Sequence, residues 1–292
     1  MFSVATYIAM MVCSMGKDIE KKIDREIGKR IREPRIKDSD LFETVEEVFD
    51  RSTVLAVLEL KSRGCIDKLK GVVSSGKEAR VYWAKDKSGR DLAVKIYLTS
   101  SAEFKKGIWK YIKGDQRFEW ITSLPTHKLM AIWARKEFSN LVKMYRAGVS
   151  VPQPLCIHRN VLVMEFIGAE GVRAPLLKEA VELGEIDREE AKKIFAEIVR
   201  NVHRMYWLAG LVHGDLSEYN VMLYNDKVYI IDVSQAVEIS HPNAHMFLYR
   251  DIINIVKFFR DKLGLETASP DKIYNYITSN KTSNDLEKQL EE

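Results

Sequence analysis

The most constraining feature of this chain is the stretch 212–220, which reads Val-His-Gly-Asp-Leu-Ser-Glu-Tyr-Asn. Asn220 follows Asp215 by five residues, and seventeen residues after Asp215 the apolar run 228–231 ends at Asp232. A carboxylate can orient a hydroxyl group and accept its proton, and Asn and Asp oxygens bind Mg²⁺. Each residue alone is typical of a turn. Together they predict a phosphoryl-transfer site, with Asp215 as the base and Asn220 and Asp232 as metal ligands.

A glycine-containing loop at 71–78 nearly matches G-x-x-x-x-G-K-[ST], the phosphate-binding pattern of one class of nucleotide hydrolases. Glu78 stands where that pattern requires a hydroxyl group, and a strand pattern follows where a helix should begin. Both departures argue against that class. Gly76 still allows close backbone approach and Lys77 supplies a positive charge, so we expect the loop to cover phosphate groups.

A lysine lies inside the apolar strand that comes next. Residues 78–84 and 92–97 are rich in β-branched and aromatic side chains, and the polar segment 85–91 between them predicts a β-hairpin. Alternation puts Lys95 and Ala93 on the face opposite the apolar one. A buried lysine needs a negative partner, and a nucleotide phosphate would serve. An edge-strand lysine that reaches water is the alternative interpretation.

Hydrophobic periodicity in the rest of the chain indicates helices and short strands. A strand pattern covers 161–167, a β-patterned pair covers 219–224 and 228–232, and 99–126 has no clear period. The predicted helices cover 41–70, 127–147, 187–209 and a last segment around 252–259. A small β-rich half, one strand and a helical half predict an α+β protein without internal repeats.

Composition sets the scale of the molecule. A chain of 292 residues with 46% hydrophobic and 30% charged residues suits one large domain or two modest lobes. The net charge of +4 is too slight to indicate a polyanionic partner. Cys13, Cys65 and Cys156 match no paired metal-ligand pattern and are too few for a disulfide framework. We therefore expect a reducing, cytoplasmic environment.

The start of the chain is apolar over 1–15, which is shorter than the roughly 20 residues that span a bilayer. The first lysine is Lys17, behind the apolar run, so the basic start of a signal peptide is missing. A docking segment on the domain surface, or translation from Met15, explains this start; we prefer the latter and expect no membrane anchor. The charged stretch 17–37 is compatible with RNA nearby, although a solvated helix face is the commoner explanation.

Four motifs in order resemble the protein kinase-like fold and, within it, the RIO family of atypical serine/threonine protein kinases. The likeness is greatest to the first subfamily, which lacks a winged-helix domain, and it runs from about residue 60 to 262. The motifs are Ser-Ser-Gly-Lys-Glu-Ala at 74–79, Leu-Ala-Val-Lys at 92–95, His-Gly-Asp-Leu-Ser-Glu-Tyr-Asn at 213–220 and Ile-Asp-Val-Ser-Gln-Ala at 231–236. The resemblance implies a bilobal α+β fold with a small β-rich N-lobe, a mainly helical C-lobe and extra N-terminal helices.

On this basis the chain divides into five parts. The expected parts are an apolar extension at 1–15, a charged helical segment at 16–60, the N-lobe at 61–165, the C-lobe at 166–270 and a polar tail at 271–292. The short length also resembles the archaeal members of the family.

The resemblance also implies roles for individual residues. ATP with Mg²⁺ or Mn²⁺ would bind, with Lys95 on the α- and β-phosphates and Glu137 as its helix partner. Asp215 would be the base and Asn220 a metal ligand, and Asp232 would bind metal and also accept phosphate as phospho-aspartate. Asp251 would hold the catalytic loop in place. The remaining nucleotide-binding positions are Ser74, Ser75, Gly76 and Lys77 in the loop and Met164, Glu165 and Ile167 at the hinge.

Two departures from ordinary kinases suggest a nucleotide-driven switch on a large assembly. Gly214 stands where those kinases have the arginine that binds a phosphorylated activation loop, and only a short connection joins Asp232 to Asp251. The family implies ATPase turnover, a monomer, and the maturing small ribosomal subunit, with its rRNA and proteins, as partner. We expect 99–126 to be a mobile loop that carries the autophosphorylation site, at Ser100, Ser101, Thr122 or Ser123.

Two other functions compete with this one. Small-molecule phosphotransferases of the aminoglycoside and choline type share His-Gly-Asp-x-x-x-x-Asn, but acidic insertions would be expected in a helical half that is here compact. A non-catalytic nucleotide-binding scaffold is disfavoured because Lys95, Asp215, Asn220 and Asp232 are all present.

Overall fold

The computed structural model of the protein describes residues 50–98, 102–118, 121 and 125–279, without the side chains of 102–106. The apolar start at 1–15, the charged stretch at 17–37 and the four candidate phosphorylation sites in 99–126 lie outside the described residues.

The N-lobe is built on one antiparallel sheet in the order β1-β2-β3-β5-β4. Its strands are β1 (Lys68–Ser75), β2 (Ala79–Lys85), β3 (Asp91–Tyr97), β4 (Pro154–His158) and β5 (Val161–Glu165). The predicted hairpin is confirmed, since β2 and β3 pair from Ala79 with Tyr97 to Lys85 with Asp91. β3 lies between β2 and β5, so the edge-strand interpretation of Lys95 is wrong.

Helix α1 (Arg51–Ser62) covers one face of this sheet. Its Ala56 and Leu60 pack with Leu92, Val94 and Ile96 of β3 in a buried cluster. The predicted helix 41–70 is too long within its described part, because Gly64 at φ +79° follows the last turn and β1 begins at Lys68. The loop expected from Gly71 is likewise mostly strand. β1 is an exposed edge, so its residues lack the alternating polarity that identifies a half-buried strand.

Two further helices connect the N-lobe strands β3 and β4. Helix α2 (Ala102–Ile112) lies in the region for which no period was detected, and its Ile108, Tyr111 and Ile112 are buried. Helix α3 (Thr126–Arg146) matches the prediction within one residue at each end and carries Glu137 on its buried side. The expectation of a single loop over 99–126 is therefore wrong.

The C-lobe is mainly helical. Its helices are α4 (Leu177–Glu182), α5 (Arg188–Trp207), α6 (Ala244–Leu263) and α7 (Pro270–Thr278). Short antiparallel pairs complete it: β6 (Gly168–Ala169) with β7 (Val172–Arg173), β8 (Leu211–Val212) with β11 (Val237–Glu238), and β9 (Val221–Tyr224) with β10 (Lys227–Ile230). The β9–β10 pair is the predicted one, and its turn residues Asn225 and Asp226 have positive φ, as tight hairpin turns require.

Helix α7 corrects the expected polar tail. Ser269 accepts a hydrogen bond from the Lys272 backbone N–H and so caps the helix, and Pro270 begins it. Ile273, Tyr276 and Ile277 are buried in the main hydrophobic core. The tail expected from residue 271 thus starts inside a packed helix. The other expected divisions of the chain stay predictions.

A disulfide joins Cys65, after α1, to Cys156 on β4, with the two Cα atoms 6.2 Å apart. The expectation that the cysteines stay unpaired is wrong for this pair. The two cysteines are 91 residues apart in the sequence, so the sequence alone does not indicate their pairing. They meet because α1 packs on β4.

Within the described ranges, none of the helices combines the length and the apolar character that a membrane crossing requires.

Candidate active site

The loop that carries Asp215 is held by two buried side chains. Asp251 on α6 accepts hydrogen bonds from the backbone N–H groups of Gly214 at 2.8 Å and Leu216 at 3.0 Å. The backbone N–H of Asp215 points at Nδ1 of His213 at 3.3 Å, so Nδ1 is the acceptor and Nε2 donates to the Ile231 carbonyl at 3.1 Å. Burial raises the pKa of Asp251 to about 7 and lowers that of His213 to about 4. Asp251 thus lies where the sequence resemblance implied.

Gly214 has φ +80°, a conformation in which a side chain is strained. A Cβ atom there would also lie 3.2 Å from the carbonyl oxygen of Gln235. The glycine that stands in place of the usual arginine therefore also satisfies the backbone of this loop.

Asp215 and Asn220 are joined within the same loop. The Asn220 amide Nδ2 donates to the backbone carbonyl of Asp215 at 2.8 Å, which leaves Oδ1 as the group able to bind a cation. Oδ2 of Asp215 accepts from Nε2 of Gln235 at 3.1 Å. Burial raises the pKa of Asp215 above the usual aspartate value. A raised pKa suits a carboxylate that must take up a proton.

Asp232 follows β10 in the left-handed conformation, with φ +54° and ψ +61°. Its Oδ1 accepts from the Lys95 ammonium at 2.9 Å and from the Ser234 hydroxyl at 3.0 Å. Partial loss of solvent would raise the pKa of Asp232, but the positive charge of Lys95 outweighs that effect and the pKa lies below the usual value. Asp232 is therefore an anion on the lining of the cleft, and both of these contacts fall on Oδ1, which leaves Oδ2 as its outer oxygen.

Lys95 also contacts Glu137, with Nζ 2.9 Å from Oε1. The other oxygen of Glu137 accepts a hydrogen bond from the hydroxyl of Tyr97. Burial opposes the charge on Lys95, but Asp232 and Glu137 together hold its pKa well above the usual lysine value. Burial raises the pKa of Glu137. The Lys95–Glu137 pair implied by the resemblance is thus formed between β3 and α3.

A cleft of about 400 Å³ lies beside these groups, between the N-lobe sheet and the C-lobe. Lys95, Asn220 and Asp232 line it, but Asp215 and Glu137 do not. Of the other predicted nucleotide-binding residues, only Ser75 is absent from the lining; those present are Ser74, Gly76, Lys77, Met164, Glu165 and Ile167. Nine of the twelve predicted site residues therefore line one cavity, and Ser75, Asp215 and Glu137 do not.

Several residues of the site were missed by sequence reasoning. Tyr97 falls two residues after Lys95 on β3, so strand alternation could have placed it on the same face. Glu78 belongs to the motif at 74–79 but was given no role, yet it lines the cleft, and burial, followed by the charge of Asp232, raises its pKa to about 7. Ser234 and Gln235 belong to the motif at 231–236, but their contacts with the two carboxylates were not predicted, because periodicity cannot show a turn.

The oxygen atoms that face the cleft fit a hard divalent cation. Asn220 Oδ1 and the outer oxygen of Asp232 are the ligand types that Mg²⁺ prefers, and both residues line the cavity. In the part of the chain that the structure describes, no group of three or more His, Cys, Asp or Glu residues is arranged so that it could hold a metal ion. Two protein ligands suit a Mg²⁺ ion whose other positions are filled by phosphate oxygens and water.

Comparison with known families and proteins gives one consistent result. The family model described as RIO domain matches residues 80–273. The chain is 42% identical over 244 residues to the RIO-type serine/threonine-protein kinase Rio1 of Haloferax volcanii, covering 84% of this chain and 80% of that protein. It is 38% identical over 263 residues to the human serine/threonine-protein kinase RIO1, covering 89% of this chain and 45% of the human protein. This chain thus spans about half the length of the human relative.

Among solved structures, the fold resembles that of Rio2 kinase from Chaetomium thermophilum. The crystal structure of its ADP/Mg²⁺-phosphoaspartate complex superposes with a TM-score of 0.61 at 21% identity, covering 82% of this chain and 70% of that one. A second crystal structure of the same kinase gives a TM-score of 0.57 at 20% identity, covering 92% and 77%. At these identities the likeness concerns the fold: a bilobal α+β architecture with the sheet in the N-lobe.

Proposed function

Because the chain belongs to the RIO family of serine/threonine-protein kinases, we propose that it transfers the γ-phosphoryl group of ATP to serine or threonine hydroxyls. One observation carries this proposal. Strand β3, the 212–220 loop and the segment that follows β10 bring Lys95, Asn220 and Asp232 to one cavity. Such an arrangement matches the requirements of phosphoryl transfer, which depends on positioning and on charge stabilisation.

Each side chain has a distinct task in this reaction. Lys95, held by Glu137, which in turn accepts from Tyr97, exchanges its contact with Asp232 for phosphate oxygens when ATP enters. Asp215 orients the acceptor hydroxyl and takes its proton. The hydroxyl oxygen bonds to the γ-phosphorus, the bond from that phosphorus to the β–γ bridging oxygen breaks, and ADP leaves. Asn220 and Asp232 would hold Mg²⁺, which would supply neutralisation of phosphate charge.

Asp232 also offers a second acceptor. A carboxylate oxygen of Asp232 would bond to the γ-phosphorus as ADP leaves, and water would then break the new phosphorus–oxygen bond, so that ATP is hydrolysed overall. Two observations support this role: the pKa of Asp232 lies below the usual value, which favours the anion, and its side chain lines the cleft. The structure of Rio2 kinase described above is named as a phosphoaspartate complex.

The acceptor can be identified chemically. Full-length protein incubated with [γ-³²P]ATP and Mg²⁺ should carry two kinds of label, phosphoserine or phosphothreonine and an acyl phosphate that hydroxylamine removes. The acyl phosphate should vanish in Asp232→Asn. Its persistence in that variant would refute Asp232 as the acceptor, and a wild-type chain with neither label would refute the kinase proposal.

The biological partner we propose is the maturing small ribosomal subunit, with its rRNA and proteins, on which a monomer acts as a nucleotide-driven switch. Support comes from the family and from the short Asp232–α6 connection, in which β11 and a brief turn precede Ala244. Cosedimentation with immature small subunits should be retained with a non-hydrolysable ATP analogue and lost with ATP. Binding that ignores the nucleotide would contradict the switch.

We propose the cytoplasm as its location. Intracellular disulfides persist chiefly in hyperthermophiles. The Cys65–Cys156 bond therefore fits a cytoplasmic location only where the cytoplasm allows disulfides to persist, as it does in those organisms. Thiol trapping in intact cells tests whether the bond and the location coexist.

A further inference from the structure

Lys136, the residue before Glu137 on α3, is completely buried, yet the reaction described above makes no use of it. Its ammonium donates to the backbone carbonyls of Ser234, at 3.0 Å, and Ala236. Across the described ranges, no carboxylate forms an ion pair with it. Burying an amine is costly unless hydrogen bonds compensate, so the two carbonyls account for a lysine at this position.

Asn140 lies one turn further along the same face of α3 and contacts the same segment. Its Nδ2 donates to the carbonyls of Val233 at 2.9 Å and Ala236 at 3.1 Å. Its Oδ1 accepts from Nη1 of Arg117 at 2.8 Å, which fixes the orientation of the amide. Side chains of α3 thus satisfy three carbonyls of the turn 233–236.

That turn reaches both carboxylates of the site. The Ser234 hydroxyl donates to Asp232 and the Gln235 amide donates to Asp215. Asp232 itself is in the left-handed region, a strained conformation for a non-glycine residue that persists only when its surroundings fix it. Any loosening of the turn would therefore displace the two carboxylates together.

We propose that Lys136 and Asn140 are positioning residues that hold the turn 233–236, so that Ser234 and Gln235 orient Asp232 and Asp215 for the reaction. The inference rests on the proposed function. It also gives α3 two connections to Asp232, one through Glu137 and Lys95 and one through the turn.

The hold does not depend on a charge. Burial lowers the pKa of Lys136 to about 7. A neutral amine retains two N–H donors, which matches the two carbonyls it serves. The contact therefore persists on both sides of neutral pH.

The test is the effect of Mg²⁺ on ADP affinity, measured by equilibrium titration of the full chain with and without the ion. In Lys136→Met the gain in affinity from Mg²⁺ should fall about tenfold, as is typical when the support of a metal ligand is removed. ADP affinity without Mg²⁺ should stay within about twofold of wild type, because the adenine side of the cleft is untouched. Lys143→Met, on the same helix but bonded to Glu238, is the matched control and should behave as wild type.

A double variant shows whether the effect passes through the turn. Ser234→Ala removes the hydroxyl that contacts Asp232, and adding Lys136→Met to it should lower the Mg²⁺ effect no further than about twofold. Lys136→Gln keeps two amide N–H donors, so its gain in ADP affinity from Mg²⁺ should be closer to that of wild type than the gain in Lys136→Met. If Lys136→Met does not fold, Asn140→Leu takes its place in both measurements.

Three results are decisive. An unchanged Mg²⁺ effect in folded Lys136→Met, or effects of Lys136→Met and Ser234→Ala that multiply, would overturn the inference alone. A wild-type chain whose ADP affinity ignores Mg²⁺ would instead overturn the proposed function from which it follows.

Discussion

Lys95 on β3 and Asp232 after β10 are 137 positions apart in the sequence and meet across the cleft, with Nζ 2.9 Å from Oδ1. The same ammonium contacts Glu137, so one cation joins strand, helix and loop. The positive charge of Lys95 also offsets the repulsion between the two carboxylates that it contacts. Removal of the cation would leave the buried carboxylate of Glu137 and that of Asp232 without a positive partner.

Lys95→Met should therefore lower the rate of phosphoryl transfer from ATP by at least about 100-fold, since it removes a charge that stabilises the transferred group. The pKa of Asp232 should rise toward and above the usual aspartate value, because Lys95 is what holds it down. Lys192→Met, on the exposed face of α5, is the matched control. Initial rates with [γ-³²P]ATP check the prediction, and a loss below threefold would contradict it.

Tyr97→Phe should destabilise the protein, because Glu137 loses a buried hydrogen-bond donor. An unsatisfied buried acceptor costs about 1–3 kcal/mol, so the free energy of unfolding in urea should fall by that amount. Tyr145→Phe removes the hydroxyl of an exposed tyrosine on α3 and should change stability by less than about 0.5 kcal/mol. Equal effects of the two variants would show that the Tyr97 contact contributes nothing.

His213 should make stability dependent on pH. Its pKa is about 4 in the folded chain and 6.5 by reference, so between these values the unfolded chain binds a proton that the folded chain does not. The contribution is fully present above pH 6.5 and is lost as pH falls to about 4, by about 3 kcal/mol in all.

Asp251 acts in the opposite direction over much of this range, since its folded pKa is about 7. Subtracting the pH profile of stability of His213→Gln from that of wild type cancels the contribution of Asp251, which both proteins share, and leaves the contribution of His213. Urea unfolding at several pH values should show the variant losing less stability than wild type on acidification. Parallel pH profiles would contradict the assignment of a neutral, buried His213.

The Cys65–Cys156 bond should contribute to stability by restricting the unfolded chain. For a separation of 91 residues the chain-entropy model gives at most about 4–5 kcal/mol. Cys65→Ser and wild type with reductant should therefore unfold at the same, lower urea concentration, whereas Cys13→Ser should unfold as wild type does. Three free thiols in denatured, unreduced protein, where one is expected, would refute the disulfide.

Local sequence carried much of the fold because its cues are local. The β2–β3 hairpin follows from alternating residues around a polar turn. Helix α5 follows from a 3.6-residue period that begins after Asp187, which caps the helix by accepting a hydrogen bond from the backbone N–H of Glu190. Edge strand β1 was missed because both of its faces are largely exposed. Helix α2 was missed although it has a buried side, since its apolar residues are interrupted by lysines and Gly107.

In the site, residues with chemically distinctive side chains were predictable and their supports were not. Lys95, Asp215, Asn220 and Asp232 stand out by residue type and spacing. Lys136 contacts backbone carbonyls 98 and 100 residues further along the chain. Gln235 contacts the carboxylate of Asp215, which lies 20 residues before it. No period in the sequence indicates such contacts. The disulfide was concealed for the same reason.

The most direct test of the account is the initial rate of γ-phosphoryl transfer from [γ-³²P]ATP with Mg²⁺, compared between wild type, Asp215→Asn and the surface control Asp261→Asn. The rate in Asp215→Asn should fall at least about 100-fold, as expected for removal of a general base, with ATP affinity within about twofold of wild type and a normal rate in Asp261→Asn. A transfer rate in folded Asp215→Asn within about threefold of wild type would contradict the assignment of this cleft as the phosphoryl-transfer site.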